Sequence, residues 1–148
     1  MERRKTIIMG TKIRAKISPK NKYWISEHRY YELKHFCLQY PEWKKAYKAI
    51  EDISIPSYNI KEETSSSNTP SNPTERQALA KTYYSDKISM VEKAAIEADM
   101  YISDYILKAV TEELSFTYLK TKMDIPCGKD MYYDRYRKFF WILSKSRD

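Results

Sequence analysis

Pro126-Cys127-Gly128 stands between two stretches that both read as helix, and no single helix can run through it. Pro126 has no amide donor and disfavours helical geometry at Ile125, so a helix over Phe116–Met123 must stop there. Gly128 supplies a loose backbone from which a second helix opens near Asp130 and runs to the end of the chain. At about 100° per residue, Tyr132, Tyr136, Phe139, Phe140 and Leu143 fall on one side of that helix, which is expected to be core. Arg137, Lys138, Lys145, Asp130, Asp134 and Trp141 fall on the other, with Arg135 at the border. A helix, a turn and a basic aromatic helix outline a helix-turn-helix unit of the kind that binds DNA. A solvated, self-paired face is the alternative, because two carboxylates lie among the cations.

Charge supports the first reading. The 148 residues include 27 basic and 20 acidic ones, a formal net charge of +7, which favours a polyanionic partner. Seven cations and one acid lie in the first 20 positions. This basic arm, residues 1–20, includes an alternating segment, Lys12–Ile17, that permits a short strand. The opening MERRKTIIMGTK has neither a long apolar run nor a small-residue cleavage site, so no signal peptide is expected. No stretch approaches the roughly 20 apolar residues that span a bilayer, and a cytoplasmic protein without membrane contact is expected.

Between arm and terminal unit, the sequence predicts helices only, giving an all-α fold. The first runs from about Tyr23 to Gln39, with Ser18-Pro19 or Ser26 as its start. Tyr30, Leu33, Cys37 and Tyr40 form one stripe; Trp24, His28, Tyr31, His35 and Leu38 form a second, which would pack both histidines. Tyr40-Pro41 ends that helix, and Pro41 opens another to about Asp52, with Trp43, Tyr47 and Ile50 on one face. The two make a helical hairpin over residues 21–52. Residues 53–72, with Pro56, Pro70 and the run Thr64–Thr69, read as a flexible linker. Asn72-Pro73-Thr74-Glu75 has the makings of a capping box and starts a long helix, expected to reach Glu113 with a bend near Ser85-Asp86. Its apolar seam, Tyr84, Ile88, Val91, Ala95, Ala98, Ile102, Tyr105 and Ala109, is read as core in preference to an intermolecular coiled coil, which would make a homo-oligomer.

Catalytic chemistry finds little footing. Gly128-Lys129 lacks the preceding glycine and following hydroxyl of a phosphate loop, with Met123 and Asp130 in those places. No G-x-S-x-G, H-E-x-x-H or C-x-x-C occurs. His35 and Cys37 point to different helix faces, so no metal site is expected, and Cys37 and Cys127 suggest no disulfide framework. The chain is expected to be non-enzymatic, with no cofactor.

In order, the motifs are Tyr40-Pro41-Glu42-Trp43-Lys44-Lys45, a Ser/Asn linker, Asn72-Pro73-Thr74-Glu75-Arg76, a long helix, and Ile125-Pro126-x-Gly128-Lys129-x-x-Tyr132-Tyr133-x-x-Tyr136-Arg137-x-Phe139. This order resembles small prophage-encoded regulators of the RinA/ArpU type over about residues 22–145. The resemblance implies a phage DNA-binding regulator of late-gene transcription in the cytoplasm of a host bacterium, its C-terminal part similar to sigma-factor DNA-binding regions. Lys129, Tyr133, Arg135, Arg137, Lys138 and Lys145 would then contact duplex DNA. Tyr132, Tyr136, Phe139 and Phe140 would hold the last helix against the long one. The chain departs from the bacterial pattern at Lys120 and Asp124, where a small residue and a glycine are usual, and its spacing into the second helix is a residue long. The alternative is a phage-encoded inhibitor or adaptor that binds a host nucleic-acid machine (an anti-CRISPR-like role). Its protein interface would be Trp141, Trp24 and Tyr31.

Overall fold

The computed structural model describes residues 19–54 and 73–148. The expected strand at Lys12–Ile17, the cap at Asn72 and most of the expected linker lie outside the described residues. Within them the protein is all-helical: α1 (Glu27–Leu38), α2 (Tyr40–Ser54), α3 (Pro73–Ala98), α4 (Ser103–Glu112), α5 (Phe116–Lys122) and α6 (Lys129–Arg147). No helix among these is long and apolar enough to cross a membrane. The described residues form two compact units, one from 19–39 and 90–148, the other from 40–54 and 73–89.

In the smaller unit, α2 and α3 run antiparallel, as their cation pairings show. Lys87 Nζ lies 5.8 Å from the Trp43 ring, whereas Lys81 Nζ lies 5.5 Å from the Tyr47 ring and 3.9 Å from Glu51. Pro41 sits in the first turn of α2, where its missing amide costs nothing. That helix continues past the expected Asp52 to Ser54.

In the larger unit, α1 packs against α4 and α6, and α4 against α5. Ser26 Oγ accepts the Arg29 amide and so caps α1. Tyr30, Leu33, Phe36 and Cys37 form its buried stripe. The second expected stripe does not exist. Trp24 precedes the helix in a turn, and His28 and His35 lie at the surface instead of in a packed face. Two arginine- and lysine-mediated ties fix α1 at its ends. Arg29 donates from Nε to Ser144 Oγ at 2.9 Å and from Nη2 to the Ser144 carbonyl at 2.8 Å, near the C-terminal end of α6. Lys34 pairs with Glu113 at 3.1 Å. Glu113 itself is left-handed (φ 58°, ψ 51°), and the Leu114 amide reaches back to the Ala109 carbonyl, so α4 ends without glycine.

The long helix is shorter than its seam suggested. It ends at Ala98, not Glu113, and carries no proline or glycine at the break. Asp99 makes the break: its Oδ1 accepts the Tyr101 amide at 2.9 Å, drawing the backbone away from the helical ladder. The seam residues Val91, Ala95, Ala98, Ile102 and Ala109 are buried within the chain.

The core of this unit is largely tyrosine and phenylalanine. Tyr132, Tyr136, Phe139, Phe140 and Leu143 are all buried, as their spacing required. Their ring partners are Tyr30 of α1 and Phe116 of α5, so α6 is held by α1 more than by the long helix. The Tyr30 and Tyr136 hydroxyls share a 2.7 Å hydrogen bond inside the core. Burial pushes Tyr30 up to about 12, against the Tyr136 hydrogen bond, and raises Tyr136 and Tyr132 too, so all three stay neutral phenols. The Tyr132 hydroxyl is buried with no partner among the described residues. Tyr136→Phe strands the Tyr30 hydroxyl and is expected to cost about 1–3 kcal/mol, a fall of several degrees in melting temperature. Tyr132→Phe removes an unsatisfied polar atom and should melt at or above the parent. Thermal denaturation of both variants by circular dichroism checks the opposite signs.

Candidate nucleic-acid interface

The stretch from α5 through the turn to α6 begins at Ser115, whose Oγ accepts the Tyr118 amide and caps α5. After Lys122 the chain turns through Met123 and Asp124. Asp124 has φ 57°, the left-handed conformation that a glycine usually supplies in such a turn. Ile125 is buried, and its amide donates to the Leu119 carbonyl at 3.1 Å. Lys120, the other departure from the pattern, bends over the turn: its Nζ donates to the carbonyls of Ile125 (3.1 Å) and Cys127 (3.4 Å). A long side chain at this position therefore supplies donors to two carbonyls of the turn. Gly128 has ordinary extended angles and caps α6 with no side chain; a Cβ there would meet nothing within 4 Å. The residue whose backbone the turn depends on is Asp124.

Asp99 links three elements. Its Oδ2 accepts Arg135 Nε at 2.9 Å while Oδ1 holds the start of the next turn, and Arg135 Nη1 also reaches Asp134 at 2.6 Å. Arg135, expected on DNA, is thus committed to two carboxylates. Burial raises the Asp99 carboxyl, but hydrogen bonds from Arg135 and from the Tyr101 and Ile102 amides outweigh it and hold the group below its ordinary 3.8. A carboxyl depressed in the folded state stabilises above its unfolded value, and that contribution is lost as pH falls through the lower folded value. Arg135→Ala should therefore cost about 1–3 kcal/mol at neutral pH. The deficit should shrink below about pH 3.8. Urea unfolding at pH 7 and pH 3 reads both terms, and an unchanged deficit would contradict the assignment.

The other expected contact residues separate by what they touch. Lys129 is exposed at the start of α6. Tyr133 is half-buried, packed against Phe116, Tyr132 and Tyr136. Arg137 and Lys138 are half-buried and carry no ion pair among the described residues, and Arg137 Nε is buried without an acceptor. Trp141 stands one turn on. Tyr23 packs on it with ring centroids 5.3 Å apart, and Lys145 Nζ lies 3.6 Å from its centroid. Lys22 Nζ lies 5.1 Å from the Tyr23 ring. Trp141 therefore has partners within the chain, Tyr31 lies against Tyr30, and of the three expected interface aromatics only Trp24 is exposed.

Sequence reasoning missed Tyr23 and Lys22. Their part depends on the turn before α1, in which the Trp24 amide donates to the Asn21 carbonyl (3.0 Å) and the Tyr23 amide to Asn21 Oδ1 (2.8 Å). Asn21 ahead of an aromatic pair is the signal that could have found it. No group of three or more potential metal ligands occurs among the described residues. Compared with protein-family models, curated proteins and solved structures, the chain gives no match in any of the three.

Proposed function

We propose that this chain is a non-enzymatic DNA-binding regulator, of the prophage late-gene type that its motif order resembles, and that α6 and the turn before α1 together grip duplex DNA. The packing of Tyr23 on Trp141 carries this reading. It joins the outer face of α6 to the turn that follows a segment with seven cations in 20 residues. The cations of this unit sort by partner. Arg29, Lys34, Lys108, Arg135 and Arg147 are paired with carboxylates. Besides Lys93, Lys120 and Lys122, the cations with no carboxylate partner among the described residues are Lys22, Lys129, Arg137, Lys138 and Lys145, of which all but Lys129 lie beside or within a turn of the Tyr23–Trp141 contact. Cations without carboxylates are the ones free to displace counterions from phosphates.

Four to six phosphate contacts should give a slope of log affinity against log salt of roughly −3.5 to −5.5. Arg137→Ala with Lys138→Ala should flatten it by about two while changing stability by no more than about 0.5 kcal/mol. Salt titrations of duplex binding by fluorescence anisotropy measure this; no binding at about 50 mM salt, or an unaltered slope, rejects it.

One observation favours the adaptor reading. Ile96, Met100 and Tyr101, none of them among the aromatics first expected to meet a protein, expose 53%, 65% and 85% of their surface around the α3–α4 corner. A partner docked there should be lost on Tyr101→Ala, by about 2 kcal/mol or more if the ring is an anchor. Co-purification with parent and variant reads the difference.

A further inference from the structure

Trp24 is built to be seen by solvent. It is 42% exposed, and its ring has no aromatic or cationic partner among the described residues. Yet its backbone is fixed from both sides, by the Asn21 turn before it and by the Ser26 cap after it. Its neighbour Tyr23 is pinned on Trp141. A large apolar ring on a rigid support costs little ordering entropy when a ligand covers it, which is the usual demand of a stacking platform.

The chemistry of the neighbouring residues selects the ligand. From Pro19 to Ser26 the chain has two lysines and no acid. Lys22 lies over Tyr23, and Lys145 over Trp141. An apolar peptide would bring these ammonium groups no counter-charge. A polyanion with flat aromatic rings answers both features: phosphates for the lysines, a base for the indole. In a duplex the base faces are covered by their neighbours, so the ring can engage only bases that are unpaired.

We infer that Trp24 is a stacking site for an unpaired base, and that this surface binds single-stranded nucleic acid, with Lys22 and Lys145 on the flanking phosphates. The inference rests on the nucleic-acid reading of the same face and adds the state of the strand. It places the protein on melted or displaced strands, where duplex contacts alone would not hold it.

Anisotropy titrations of the full chain with labelled oligo-dT, oligo-U and a duplex hairpin, each about 15 nucleotides per strand, provide the test. Trp24→Ala should weaken oligo-dT binding roughly ten- to a hundredfold and leave duplex affinity within about twofold. Trp24→Phe, which keeps a ring, should recover most of the loss, and thermal melting of both variants should match the parent. Oligo-U binding as tight as oligo-dT assigns the site to either sugar; weaker binding assigns it to DNA. Duplex binding with no binding of either single strand, or with single-strand affinity indifferent to Trp24→Ala, overturns the stacking site and leaves the duplex reading standing. Equal weakening on both strand forms also overturns it. Failure to bind any of the three probes removes the nucleic-acid reading of the face, and the inference with it.

Discussion

The Asp99–Arg135 contact is the joint on which the larger unit turns. Asp99 ends α3, starts the turn into α4 and receives α6 through a guanidinium, all with one carboxylate that is mostly withdrawn from water. A buried charge of this kind is tolerable only with its partners in place. The end of α3, the start of α4 and the second turn of α6 are therefore tied at one carboxylate. Arg135, whose position on a helical wheel suits a phosphate, is already engaged by two carboxylates of its own chain.

Tyrosine makes the interior selective as well as apolar. Aliphatic side chains would let α6 slide by a turn on α1 with little loss, whereas the Tyr30–Tyr136 hydrogen bond exists in one register only. The edge-on contacts of Tyr30 with Phe140, and of Phe139 with Phe140, add a geometric preference of about 0.5–1.5 kcal/mol each. With its inward side fixed in this way, α6 presents Arg137, Lys138 and Trp141 outward in a constant order.

Where periodicity governs, the sequence was readable. The buried stripe of α6 follows from spacing and is present; the helix expected to stop before Pro126 does so, but already at Lys122, ahead of the left-handed Asp124. Asp99 was hidden because a helix broken by a side chain leaves no proline or glycine behind; its apolar seam runs on through the break as though the helix did too. Trp24 was misplaced for the opposite reason. Its spacing fits a helix that does not begin until Glu27, so the wheel on which it was drawn had no backbone under it. The pairing of Tyr23 with Trp141 joins residues far apart in the chain, and no local pattern announces it. The side-chain tasks of Lys120 and Asp124 were equally invisible, since each supplies by an unusual residue what the familiar pattern supplies by another.

The Tyr30–Tyr136 hydrogen bond has a consequence for synthesis. Its two ends are 106 residues apart, so at typical elongation rates of roughly 5–20 residues per second the first tyrosine waits about 5–20 s for the second. During that interval the apolar side of α1 has no α6 to cover it, while α2 and α3, a contiguous pair, are already free to assemble. A nascent chain of this protein is thus half-built from its middle and closed from its two flanks. The buried side of α1 stays uncovered until α6 has left the ribosome.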